Sequence, residues 1–293
     1  MITGRFTDHH VHLQLVDHTL LAGSRLGRVI DLGANPEWVR EISCHNSGDP
    51  GVAGRETAVS GREADSSPEL WRPKVEYAGA FLTAPGGYPS DRAWAPAGSV
   101  REIPGAATAA IAVAELAALG VSCIKATLHS DAGPVFDDET FRAVVTAAHA
   151  HGLPVVAHTE GAGQAQRAAR LGADRLAHAP FSERLSDDEI AAQAASVEWI
   201  STLAIHDEPH RAIAVDNVHR FAQAGGTVLY GTDMGNGDLP VDLNPAELDA
   251  LREAGVTGAR LIQALAPTGP DALFLPDGDP AAARALTPAD LEA

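Results

Sequence analysis

Short apolar runs alternate with alanine-rich stretches along most of the chain, and this rhythm restricts the fold more than any single residue does. Runs of strand character lie near 4–13, 28–32, 76–82, 121–128, 154–158, 175–178, 198–203 and 227–231. Helical patterns fill most of the gaps, at 107–119, 137–151, 163–171, 186–195 and 216–224. Strands joined through helices lie parallel in one sheet, because the return path runs over the sheet's face. Eight such units closing on themselves make a (β/α)8 TIM barrel, a fold of about 250 residues. The 293 residues here are enough. An open doubly wound sheet is the alternative, but no glycine-rich dinucleotide loop follows the first run. The expected class is therefore α/β, built as a barrel.

Two regions break the rhythm. Residues 45–72 are polar and rich in Gly, Ser and charge, and read either as a lid or as a disordered insertion between the second and third strands. From Pro267 onward the chain is punctuated by Pro and Asp, with a helix-start pattern at 287–293. The expected organisation is a barrel domain over 1–268 and a C-terminal extension over 269–293.

Composition excludes some partners. A formal charge of −18 argues against nucleic acid and against anionic membranes, both of which attract basic surfaces. Cys44 and Cys123 fit no C-x-x-C pattern, so neither a disulfide framework nor a zinc ribbon is indicated. No run reaches the length of a membrane span. A cytoplasmic protein acting on a small molecule is expected, and a homo-oligomer is left open.

The strand ends carry the chemistry. The first run ends Asp8-His9-His10-Val11-His12, and side chains two apart on a strand share a face, so Asp8, His10 and His12 are expected to project together. The fourth places Lys125 inside an apolar strand, where a lone ammonium is costly. The fifth ends in His158, the sixth in His178, and the eighth in Gly231-Thr232-Asp233. Barrel sites are assembled at the C-terminal ends of strands, so these six side chains would meet at one mouth. His149 and His151 are different: they lie in a helix's last turn, where the dipole accounts for them.

This constellation resembles the amidohydrolase superfamily, whose signature is H-x-H on the first strand, lysine on the fourth, histidines on the fifth and sixth, and aspartate on the eighth. The segment Tyr77–Gly87, Gly120–Lys125, the stretch from His149 to Phe181 and Gly231-Thr232-Asp233 are similar to the imidazolonepropionase-like and Xaa-Pro dipeptidase (prolidase-type) branch, and Pro270–Pro280 to its return into a small β-sandwich. The resemblance covers about three quarters of the chain. It departs in two places: the N-terminal half of the sandwich is missing, leaving that domain absent or vestigial, and 45–72 replaces a compact second helix.

The resemblance implies two divalent metal ions, zinc foremost, with manganese, iron or cobalt also accommodated. One ion would take His10, His12 and Asp233, the other His158 and His178, with a carboxylated Lys125 between them. A metal-bridging hydroxide would attack an amide or cyclic amide C–N bond, Asp233 would carry the proton to the leaving group, and His178 would also face the substrate carbonyl. A lactonase or esterase in the same site and a metal-dependent decarboxylase are the alternatives. His129, His206, Tyr88 and Arg92 lie where substrate contacts are expected, whereas Pro209 argues against a helical zinc motif of His206 and His210.

Overall fold

The computed structural model describes residues 1–46 and 72–291. Residues 47–71, the body of the polar insertion, lie outside them, and with them the choice between lid and disorder.

In chain order the elements are β1 (Ile2–Val11), β2 (Leu26–Asp31), α1 (Pro36–Asn46), β3 (Lys74–Tyr77), β4 (Phe81–Thr83), β5 (Val100–Glu102), α2 (Ala106–Ala118), β6 (Ile124–His129), α3 (Asp138–Ala150), β7 (Val155–Glu160), α4 (Gln164–Arg170), β8 (Arg175–Leu176), α5 (Asp187–Ala194), β9 (Glu198–Ile200), α6 (His210–Gln223), β10 (Val228–Leu229), α7 (Pro245–Glu253), α8 (Ala259–Ala264), β11 (Thr268–Phe274) and β12 (Arg284–Ala285). They form a mixed α/β fold with two sheets, ordered β12-β11-β1-β2-β3 and β10-β9-β8-β7-β6-β4-β5. The strands of the second sheet are parallel, as are β1, β2 and β3. β11 pairs antiparallel with the first residues of β1 and with β12, giving a small antiparallel patch at that end.

Hydrogen bonds cross both gaps between the sheets. On one side the amide of His9 donates to Tyr230 O (3.0 Å), that of His12 to Met234 O (2.7 Å), and Val11 bridges Met234 in parallel. On the other, the amide of Ser122 donates to Tyr77 O at 2.8 Å.

Local chemistry explains most boundaries. Asp137 caps α3 by accepting from the Thr140 amide, and Ser186 with Glu189 closes a capping box on α5. Asn244 caps α7 ahead of Pro245 at the first helical position. The expected third strand is divided into β3 and β4, because Gly79 takes a left-handed conformation (φ 74°) between them. α6 begins at His210, earlier than expected, since Pro209 starts a helix as readily as it breaks one. The helix expected over 287–293 is a 3-10 turn over Pro288–Leu291, where Asp290 takes the Thr287 amide and pairs with Arg284.

The main core lies between strands and helices, with Trp199 stacked on Phe221 at 3.8 Å between ring centres. A separate cluster gathers Ile30, Leu32, Ala78, Cys123, Val156, Ala177, Ile200 and Leu229. Val156 shares a strand face with His158 two residues on, so this inner apolar layer underlies the site.

Candidate metal centre

The six residues at the strand ends reach one cavity of about 610 Å³. His10 and His12 arrive from β1, Lys125 from β6, His158 from β7, His178 from just past β8 and Asp233 from the turn after β10. All six are buried. One ligand atom each of His10, His178 and Asp233 lies within 4.8 Å of the others, so these three could hold a metal ion.

The hydrogen bonds behind the rings decide which nitrogens face inward. Nδ1 of His10 donates to Ala177 O at 2.8 Å, and Nδ1 of His12 to Gly33 O at 3.1 Å. A neutral imidazole has one proton, so both Nε2 atoms carry bare lone pairs. Those atoms stand 3.3 Å apart, and each is 3.1 Å from Asp233 Oδ1. Asp233 Oδ1 is itself buried without a donor. Short separations among acceptors do not make hydrogen bonds; they make an electron-rich pocket that a cation would satisfy. Beside them His178 Nε2 stands 3.1 Å from His158 Nδ1, His178 Nδ1 is hydrogen-bonded to the Thr202 hydroxyl at 2.8 Å, and His158 Nε2 faces Glu160 Oε2 at 3.4 Å. Imidazole nitrogens and a carboxylate are donors that suit a divalent metal ion.

Electrostatics agree. Burial, then the neighbouring Lys125, pushes His10 down to about 4, and burial with His10 and His158 lowers His178 well below the usual imidazole range. Burial would raise Asp233, but positive charge on the facing His10 and His12 rings would outweigh it and hold the carboxylate well below its ordinary range, a role that a bound cation would take over when the rings are neutral. Burial lowers Lys125 to about 8, and its Nζ lies 3.4 Å from His10 Nε2. Burial thus favours neutral rings at His10 and His178.

Two turns at the site are strained. Thr202 (φ 45°) and Asp233 (φ 55°) occupy the left-handed region that non-glycine residues avoid, most of all a β-branched threonine. Thr232 behind Asp233 is tied to Asp8, whose carboxylate also accepts the His10 amide at 3.0 Å. Asp8 therefore anchors the turn and does not join the ligands as its spacing suggested.

No family model and no curated protein matches the chain. Solved structures do. A Xaa-Pro dipeptidase with methionine bound in its active site superposes with a TM-score of 0.65 at 18% identity, covering 90% of this chain and 73% of that one. The A. niger ochratoxinase gives 0.68 at 15% identity, covering 90% and 70%. A molinate hydrolase gives 0.60 at 14%, covering 90% and 71%. The fold is that of the prolidase-type amidohydrolases.

Within this fold the expected substrate contacts separate into two groups. Tyr88 and His206 line the cavity. His129 stands behind, its Nε2 3.2 Å from Glu160 Oε2 and its ring 4.9 Å from Tyr88. Arg92 lies 5.6 Å from the Tyr88 ring centre and pairs with Asp91 at 3.4 Å, away from the cavity wall. His206 leaves a 3-10 turn over Leu203–Ile205 and His210 opens α6, so the two share no helical face. His149 binds Asp174 at 2.8 Å, outside the cavity.

Sequence reading passed over Glu160, Thr202, Phe81, Trp94 and Phe181. Glu160 was discoverable, because it follows His158 by two on the same strand, as His12 follows His10. Register gives it His129 as its cross-strand partner on β6. Thr202 had no such signal.

Proposed function

We propose that the protein is a metal-dependent hydrolase cleaving an amide or cyclic amide C–N bond of a small molecule. The observation that carries this is the convergence of His10 Nε2, His12 Nε2 and Asp233 Oδ1 within 3.3 Å, with both Nδ1 protons committed to backbone carbonyls. Likeness in fold to a dipeptidase, an ochratoxinase and a molinate hydrolase supports the same class. In this reading the parallel strands, with β3 and β4 counted as one and β5 added outside, close as a (β/α)8 barrel over 1–268, supported by the hydrogen bonds across both seams, and 269–293 is an extension.

His10, His12 and Asp233 would hold one divalent ion, and His158 and His178 a second. Bound there, the two ions would supply an activated water and polarise the scissile carbonyl. Lys125 is buried and holds its proton less tightly than a free lysine, so carbon dioxide would add to its deprotonated amine with loss of a proton, and the resulting carbamate would lie between the two positions. Asp233, facing the cavity, would hold the abstracted proton and return it to the leaving nitrogen. His178, at the same depth, would orient the carbonyl. Cysteine usage supports action in the cytoplasm.

Metal analysis and product analysis test the reading together. About two equivalents of zinc-type metal per chain and oxygen-18 from solvent in the carboxylate product are expected. A metal-free protein, or a product without solvent oxygen, would overturn it, the second pointing to decarboxylation.

A further inference from the structure

Glu160 is placed for more than holding a histidine. Its Oε2 faces both imidazoles, His129 Nε2 at 3.2 Å and His158 Nε2 at 3.4 Å, while Oε1 has no protein partner among the described residues. One carboxylate oxygen thus faces the two rings and the other is unused. Glu160 is part of the cavity wall, and its side chain is 30% exposed. Tyr88 packs on the same two imidazoles, 5.3 Å from His158 at 28° and 4.9 Å from His129, which sets it beside Glu160. Its hydroxyl has no partner among the described residues either. Trp94 adjoins Tyr88 at 6.0 Å and Phe81 at 6.1 Å, and lines the same cavity.

Acidic groups predominate on the cavity wall at this corner, with the Arg92 guanidinium off the wall behind Tyr88, 5.6 Å from its ring centre. Among the described residues on the cavity wall, the acids are Glu160, Asp207 and Asp233, and the only Lys or Arg is Lys125, buried beside His10. A carboxylate edge, a phenol oxygen and an indole are the components with which proteins bind organic ammonium groups.

We propose that Glu160, Tyr88 and Trp94 form a subsite for a protonated amine carried by the substrate. Strand geometry puts Glu160 roughly 6–7 Å nearer the mouth than His158. The amine would thus lie a few bonds away from the carbonyl at the metal level, donating to Glu160 Oε1 and Tyr88 Oη with Trp94 against its carbon chain. That the amine belongs to a substrate rests on the proposed hydrolase function; that the cavity takes an amine does not.

Calorimetric titration of the metal-free full-length protein with phenethylammonium and with its neutral analogue 2-phenylethanol tests the subsite. The ammonium ion should bind at least tenfold tighter, and Glu160→Gln should bring the two within threefold of each other. Equal affinities in the parent protein, or an ammonium preference that survives Glu160→Gln, would overturn the proposal. Should Glu160→Gln fail to fold, Trp94→Leu decides: a threefold or greater loss of ammonium affinity supports the subsite, and none removes it. An amine preference in a protein that hydrolyses nothing would leave the subsite standing and end the hydrolase reading; hydrolysis without an amine preference would do the reverse.

Discussion

The carboxylate of Asp8 takes the hydroxyl of Thr232 at 2.6 Å and its backbone amide at 3.1 Å, joining β1 to the turn after β10 across 224 positions of sequence. Both partners are buried, and the next residue is Asp233. Thr232→Val keeps the shape but leaves a buried carboxylate oxygen without its hydroxyl. Burial raises Asp8 to about 7, so it is only partly ionised at neutral pH, and a loss of about 1–3 kcal/mol is expected for a buried polar group left without its partner. Urea denaturation measures it, and a change below about 0.5 kcal/mol would mean that the bond contributes little.

Thr202→Ala tests the support of His178. The hydroxyl at 2.8 Å from Nδ1 is the only partner that fixes this ring's outer nitrogen among the described residues. Removing such a partner lowers metal affinity about 10–100-fold. Competition against a chelator reads this directly, and unchanged affinity would show that the ring is held by packing alone.

Lys125→Ala should remove the proposed bridge. Metal content is expected to fall and turnover to drop by about 100-fold or more, with partial return on adding a short carboxylic acid that occupies the space of the side chain. Turnover equal to that of the parent would end the bridging role.

Glu247 gives a pH signature away from the metal ligands. It is fully buried on α7, accepts the amides of Leu203 (3.0 Å) and Ala204 (2.7 Å), and burial raises it from 4.5 to about 6 despite those bonds. An acid whose pKa is higher in the folded state binds more protons when folded. Its contribution is complete below about 4.5 and is lost as pH rises through about 6. The stability of the parent minus that of Glu247→Gln should therefore fall across this window, by on the order of 2 kcal/mol. Denaturation curves at pH 4.5, 5.25 and 6 check the slope. A difference that grows with pH would reverse the sign and refute it.

The ligand-bearing strand ends were readable because each pairs an apolar run with a terminal polar residue, a local signal. His10, His12, Lys125, His158, His178 and Asp233 all come to one cavity for that reason. What escaped depends on distance or on backbone angle. Asp8 looked like a neighbour of His10 by alternation, yet its partner Thr232 lies near the other end of the chain. Thr202 matters through a left-handed conformation that its residue type disfavours, so nothing local announces it. The break at Gly79 was hidden inside a continuous apolar run, where only the left-handed turn divides β3 from β4. Arg92 was expected at the substrate because it follows the third strand, but its guanidinium lies against Tyr88 and Asp91.

Gly33 hands its carbonyl to His12 and has the ring of Phe81 against its α-carbon, so close that an added β-carbon would fall 2.0 Å from Cζ. Phe81 in turn forms part of the cavity wall. A methyl group introduced at position 33 would press that ring toward the cavity, so the width of the pocket can be altered from behind without replacing any residue of its wall.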